Sequence, residues 1–227
     1  MLRIFIGYDD SERIAYHVLS HSIMRRASIP LSITPLHRGM FAGIYSRTRG
    51  PMESTDFSML RFIVPYLCEY QDSALFMDCD MLCRGDIIEL ARFLTLATRW
   101  TKAAHVVKHD YDPNPADKFL GQKQTIYRCK NWSSVMLLNN HLCRTLTPEF
   151  VNSQPGLTLH QFGWTSEDRI GELPKTWNHL VGESGQCAAG DARLIHFTRG
   201  GPWFKEYETC EFADEWRAEL EHMNGHH

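Results

Sequence analysis

The sequence predicts an α/β fold, and three observations carry the prediction. The short apolar run Ser73–Met77 takes on charge only at its C-terminal end, the chain opens in the order strand, helix, strand, and it closes on a segment with apolar residues at helical spacing. With 227 residues and 43% hydrophobic content the chain can bury the core of one substantial domain, taken here as residues 1–227. It contains no internal repeat, low-complexity tract or interdomain linker.

Leu2–Ile6 reads as the first strand. Asp9, Asp10 and Ser11 supply capping side chains, and Ala15, Val18, Leu19, Ser22 and Ile23 then repeat at helical spacing, predicting a helix to about Ala27. Leu31–Leu36 is the second strand, completing the unit of a parallel sheet. Gly39–Thr55 is rich in Gly, Ser and Arg and reads as a loop. Thr55 or Asp56 is placed to cap a helix carrying Leu60, Ile63, Val64 and Leu67 on one stripe, with Pro65 expected to kink or shorten it. Ser73–Met77 is a short buried strand. Lys108–Trp132 is polar, broken by Pro113 and Pro115, and long enough to act as a lid or binding segment, as is the loop before it. Ser134–Leu138 and Leu194–Phe197 are further strands, and Phe212, Trp216 and Leu220 mark the closing helix.

The net charge of −3 argues against broad electrostatic binding to nucleic acid. No apolar stretch is long enough to span a bilayer, and the first residues are too quickly charged for a signal peptide. The seven Cys are scattered without a C-x-x-C pair, which fits reduced thiols and a cytoplasmic setting. His226 and His227 are either native residues or a tag remnant.

The residues richest in chemistry are Asp78-Cys79-Asp80, directly after the Ser73–Met77 strand. Two carboxylates one residue apart at a strand end can converge on one hard cation, of the kind shared between protein oxygens and substrate phosphates. Taken alone the pattern is more often a polar strand end than a metal site. His17 and His21, and His105 and His109, stand four apart, but no H-E-x-x-H and no third ligand in register supports zinc, so His17 and His21 are read as helix-surface or packing residues. Trp132, Trp164, Trp177 and Trp203 could offer flat rings to a sugar acceptor; aromatics are more often core, and at most two are expected to do so.

Taken together the segments resemble glycosyltransferase family 8, retaining enzymes of the GT-A fold, in matching order from about residue 2 to 207. Ile4-Phe5-Ile6-Gly7-Tyr8-Asp9-Asp10 is similar to the first strand and its nucleotide-contacting turn. Phe57-Ser58-Met59-Leu60-Arg61-Phe62-Ile63-Val64-Pro65 resembles the helix before the D-x-D strand. Ala74 to Ile87, ALFMDCDMLCRGDI, is close to the family's YLDADVVVxGDI core and is the strongest match. Trp132 to Asn139 resembles the NAGVMLIN strand, and Leu194-Ile195-His196-Phe197-Thr198 the IHFTG strand. Two departures mark a divergent branch of bacterial or phage type. Trp132-Ser133-Ser134 replaces Asn-Ala-Gly, and in the run from His196 to Trp203 the family's diphosphate-holding Lys before Pro is absent. Arg199 and Lys205 are the candidate replacements.

The resemblance implies a single GT-A domain with a Rossmann-like, mixed but mainly parallel sheet flanked by helices. It implies transfer of a hexose or pentose from a nucleotide sugar, with UDP the expected nucleotide, Mn²⁺ or Mg²⁺ as cofactor, and retention of configuration. Asp78, Asp80 and His196 would be the metal ligands, a mixed oxygen and nitrogen set that suits Mn²⁺ better than Mg²⁺. Gly7, Tyr8, Asp9, Arg61, Asp78, Cys79, Arg199 and Gly200 would contact the donor, with Tyr8 stacking on the base and Asp9 accepting from base or ribose at the strand end where open sheets place ligands. Arg61, between apolar neighbours, needs an anionic partner, either donor phosphate or the Asp78/Asp80 pair. Asp168 falls near the family's DQD segment and is the expected catalytic acidic group beside Arg61, although helix capping by Ser166 with Asp168 in the first turn explains it equally well. The sequence names no carboxylate nucleophile and no acceptor, and leaves a homo-oligomer open. The alternatives are a non-catalytic nucleotide- or carbohydrate-binding module on the same fold and a sugar nucleotidyltransferase. The latter normally needs a Gly-rich, arginine-containing loop that Gly7-Tyr8-Asp9-Asp10-Ser11 does not supply.

Overall fold

A computed structural model of the protein describes residues 2–50, 53, 55–95, 98–110, 118–119, 122–123 and 129–225. Its centre is a six-stranded sheet built from β1 (Leu2–Tyr8), β2 (Leu31–His37), β3 (Ser73–Met77), β5 (Ala104–Val106), β8 (Val135–Asn139) and β9 (Ile170–Glu172), in the order β2-β1-β3-β8-β5-β9. The β1–β2, β1–β3 and β5–β9 pairs are parallel, whereas β8 runs antiparallel to both β3 and β5. All strands but β8 therefore point the same way, which is the mixed, mainly parallel sheet expected. A second, three-stranded sheet joins β10 (His179–Leu180), β11 (Leu194–His196) and β4 (Met81–Cys83) in the order β10-β11-β4. Lys118–Phe119 and Gln122–Lys123 (β6 and β7) form a short antiparallel pair. Residues 111–117, 120–121 and 124–128 of the Lys108–Trp132 loop, Pro113 and Pro115 among them, lie outside the described residues, as do His226 and His227.

The apolar strand runs fill the core. Ile4, Ile6, Leu75, Phe76, Met77 and Val135 to Leu137 are fully buried, and they pack with Phe62, Ile63 and Leu90 from the connecting turns. Helix α1 (Arg13–Arg26) buries the expected face, Ala15, Val18, Leu19, Ser22 and Ile23. The closing helix α5 (Ala213–Met223) packs on it through Trp216 and Leu220 in a smaller cluster with Val18 and Phe197. Between these two helices Glu219 of α5 is buried. It accepts from Arg25 Nε at 3.1 Å and Nη2 at 2.8 Å, lies 2.9 Å from Arg26 Nη2, and pairs with His21 Nδ1 at 2.7 Å. Burial alone would raise the Glu219 carboxyl; the arginines outweigh it, with help from His21, and bring it down to about 2.

Several elements differ from the sequence expectation. No helix starts at Thr55 or Asp56: turns lead into a 3-10 segment, Leu60–Ile63, and then a single helical turn, α2 (Val64–Leu67). Pro65 stands in the first turn of α2, where its missing N–H is not needed, so it starts a helix and kinks none. The strand expected at Ser134 begins one residue later, because Trp132–Ser134 forms a 3-10 turn. The short strands β4, β5, β9 and β10 have too few residues to show a period. The segment after β2 is held down in its described part: Asn152 of α3 (Pro148–Ser153) accepts from Ser46 N and donates to Ile44 O, both at 2.9 Å, and Arg47 donates to Val151 O. All seven Cys are free thiols. No helix among the described residues is long and apolar enough to cross a membrane.

Candidate metal centre

The two sheets meet at one point, and the acidic residues are there. Strand β3 ends at Met77, and the Asp78 amide then donates to Ser134 O at 3.0 Å, bending the chain across the start of β8. Asp80 directly precedes β4. Strand β11 pairs with β4 in antiparallel register so that His196 stands opposite Met81, and the Phe197 amide donates to Asp80 O at 2.9 Å. Residues far apart in sequence are thereby joined: one ligand atom from each of Asp78, Asp80 and His196 lies within 4.8 Å of the others.

Each side chain is held from behind. Asn178 donates through its amide nitrogen to Ser134 Oγ at 2.9 Å, which leaves Asn178 Oδ1 as the acceptor 2.9 Å from His196 Nδ1. An amide oxygen can only accept, so Nδ1 carries the proton and the Nε2 lone pair of a neutral His196 faces Asp80, 3.3 Å from its Oδ1. An outer partner of this kind fixes the tautomer and ring orientation of a metal-ligating histidine. Arg61 is buried, and its anionic partner is Asp78. It sits against the rings of Phe57 and Phe76, donates to Ser58 O and Ser133 O, and places Nη1 2.9 Å from Asp78 Oδ1.

The charge balance at this point is incomplete. Burial pushes Asp78 up to about 6, against the pull of Arg61 and with Asp80 adding to the rise. Burial disfavours charge on His196, yet Asp80 and then Asp78 more than offset it and raise the imidazole above its usual value. Asp78 Oδ1 and Asp80 Oδ1 are buried oxygens without an aligned hydrogen-bond donor. Buried carboxylate oxygens that meet Arg61 and His196 without an aligned donor, beside an imidazole nitrogen, fit a divalent cation such as Mn²⁺.

Behind the pair, Cys79 is fully buried, and its thiol lies 3.7 Å from Glu12 Oε2. Its side chain thus faces the core. Burial, with Asp80 and Asp9 nearby, raises the Glu12 carboxyl to about 8. Asp9 is also buried and accepts from Ser11 N at 2.9 Å, Ser11 Oγ at 2.6 Å and Asp56 N at 3.0 Å, with Arg49 at 3.8 Å. Burial would raise Asp9, but these donors together win and lower it. Tyr8 closes β1 with its ring edge-on to Tyr16 and His37. A side chain at Gly7 would meet the Phe57 ring at 2.3 Å, so the glycine lets that ring lie on β1.

The remaining expected residues fall elsewhere. Arg199 Nε donates to Glu183 Oε1 at 2.8 Å from a half-exposed side chain. Gly200 has φ +120, and a Cβ there would meet the Tyr207 ring at 2.5 Å. Lys205 is exposed in a 3-10 turn. Asp168 is not brought to the metal centre. Register places Ile170 beside Ala104, Ala104 beside Leu138 and Leu138 beside Ala74, so the turn holding Asp168 precedes β9 at the edge of the sheet opposite Asp78. There it is exposed, its carbonyl accepts from Lys102 Nζ at 2.6 Å, and the Ser166 side chain first among its partners lowers its carboxyl. Of the four tryptophans considered for an acceptor platform, Trp132, Trp164 and Trp177 are core and Trp203 packs on Phe197 and Trp216. Among the residues that sequence reasoning missed, Asn178 and Glu12 have no motif signal, since both depend on contacts across the fold.

The fold and this centre define a class: a GT-A-type glycosyltransferase fold. The structure resembles the bifunctional glycosyltransferase WbbM (TM-score 0.69, 16% identity, 99% of this chain and 51% of that one). It also resembles the glycosyltransferase GlyE of Streptococcus pneumoniae (0.63, 12%, 96% and 60%). A third likeness is to the galactosyltransferase LgtC in complex with donor and acceptor sugar analogs (0.55, 12%, 96% and 95%). The chain thus spans about half the length of WbbM and about three fifths of GlyE. No family model matches it. It is 44% identical over 229 residues to Protein CDI of Arabidopsis thaliana, across 98% of this chain and 87% of that protein, and belongs to the family of Protein CDI.

Proposed function

We propose that the protein transfers a sugar from a nucleotide-sugar donor, with UDP the expected nucleotide, using a divalent cation at Asp78, Asp80 and His196. The observation that carries this reading is the convergence of these three side chains, with orphaned carboxylate oxygens on one side and an Asn178-locked imidazole on the other. When bound, the cation would stabilise negative charge developing on the leaving diphosphate.

The chain's own residues supply the surroundings. Arg61 holds Asp78 in place and keeps net charge at the centre from becoming too negative. Asp9 stays ionised at the end of β1, where it can accept from a base or ribose. Tyr8 offers a ring edge at the same strand end. Arg199 with the adjacent Gly200 is the proposed diphosphate contact in place of the missing Lys, exchanging Glu183 for phosphate. Retention of configuration and the choice of Mn²⁺ follow the family 8 resemblance. Asp168 keeps a role in this reading only through a second ligand at the far sheet edge, because the fold separates it from the metal centre.

The test is incubation with a panel of nucleotide sugars plus Mn²⁺, with release of nucleoside diphosphate as the readout. Release that depends on Mn²⁺ supports sugar transfer. Formation of a nucleotide sugar from a sugar phosphate and nucleoside triphosphate would make the protein a nucleotidyltransferase. Donor binding without turnover would make it a binding module.

A further inference from the structure

Three residues beyond β5 the chain buries a histidine ring. His109 is 6% exposed, and among the described residues neither Nδ1 nor Nε2 has a hydrogen-bond partner. A neutral imidazole always carries one N–H and one lone pair, and leaving buried polar groups unmade costs about 1–3 kcal/mol each. An orphan of this kind in a folded protein calls for a partner that arrives later.

The backbone of His109 is fixed: Trp132 Nε1 donates to His109 O at 3.2 Å. Trp132 opens the same 3-10 turn whose Ser134 carbonyl accepts from the Asp78 amide, so His109 is tied to the metal centre through one rigid turn. Strand β5 leaves the sheet at the edge where β3 delivers Asp78, with only β8 between them. The ionisable groups that act on His109 are His196, Lys175, Asp110 and His179. Burial first, then His196 and Lys175, hold the imidazole neutral at about 3, against the opposing pull of the Asp110 carboxylate. His105 makes the contrast: its ring lies against Gly171, where a Cβ would come within 2.2 Å, and its charged neighbour is Lys102 on the far side of the sheet.

We infer that His109 is a substrate-binding residue that pairs with a hydroxyl of the sugar carried by the nucleotide. A neutral imidazole is at once donor and acceptor, and so is a hydroxyl. A group just past the C-terminal end of β5, beyond β8 from Asp78 and on the side of β3 away from β1, is placed to meet the part of the donor beyond the diphosphate. This inference rests on the proposed sugar transfer, and its test separates the two.

Affinities for UDP and for UDP-glucose, UDP-galactose and UDP-xylose are measured with Mn²⁺ by calorimetry in wild type, His109→Phe and His109→Asn. All three proteins should bind UDP within about twofold of one another. For the UDP-sugar that wild type binds best, His109→Phe should lose about tenfold, the worth of about one hydrogen bond, and His109→Asn should lose less. Unchanged UDP-sugar affinity in His109→Phe, or equal loss of UDP and UDP-sugar, overturns the role of His109 while leaving the proposed function standing. Failure of wild type to bind any of these ligands overturns both.

Discussion

Two buried carboxylate sites in this molecule are built in opposite ways. Glu219 stands between α1 and α5 with Arg25, Arg26 and His21 all directed at it, and its carboxyl is driven down to about 2. Asp78 and Asp80 share Arg61 and an imidazole, retain orphaned oxygens, and Asp78 is driven up to about 6. The first site has its cations supplied by the protein and is finished on folding. The second has one guanidinium for two carboxylates, and in the proposed function a divalent cation would complete it. The difference marks the second pair as the candidate ligand-binding one.

The largest expected effect breaks the first site. Glu219→Ala leaves Arg25 and Arg26 without their carboxylate and His21 without its partner at the α1–α5 contact, and should cost about 3 kcal/mol of stability, read by urea denaturation. Mn²⁺-dependent UDP affinity of the folded variant should match wild type. Asn178→Leu comes next. It frees the His196 tautomer and should weaken Mn²⁺ binding about 10–100-fold by calorimetry with UDP present, whereas Asn178→Asp, which keeps an acceptor, should retain most of it. Arg199→Ala should weaken UDP binding by about 1.5 kcal/mol, the scale of one charge-assisted hydrogen bond. Unchanged affinity there, and in Lys205→Ala, would leave the diphosphate to backbone donors. The smallest effect is a slope. Because the folded Glu219 carboxyl lies at about 2, below its usual 4.5, its stabilisation is complete above pH 5 and is lost as pH falls toward 2. The melting temperature of wild type should therefore fall more steeply over that window than that of Glu219→Gln.

How much of this was legible in the sequence depends on the range of the interaction. Strand β3 was readable as a short apolar run, β1 and β2 as short segments rich in Ile and Leu on either side of a helix, and α1 because its buried face repeats along many residues. The three-residue strands β4, β5 and β9 carry no period and are set by pairing partners elsewhere in the chain. At the site, Asp78, Asp80 and His196 were legible through the family resemblance, and the fold brings them together. Asp168 was placed by proximity to a motif, and the register of β9 carries it to the other edge. His21 was expected on the helix surface or in packing; its bond to Glu219 spans 198 residues and leaves no local trace. His109 was visible only as one of a pair of histidines four apart, and Asn178 carried no signal because its bond to His196 joins separate segments.

The central claim is that the Asp78/Asp80/His196 centre awaits a cation. Its most direct test is calorimetric titration of Mn²⁺ into wild type and Asp80→Asn, each with UDP present. Asp80 is partly exposed and His196 can go neutral without it, so the variant should fold with nearly unchanged stability. The account predicts saturable one-to-one Mn²⁺ binding by wild type and a loss of at least about 100-fold in Asp80→Asn, since a charged ligand becomes a weak neutral one. Equal Mn²⁺ affinity in the two proteins would contradict it.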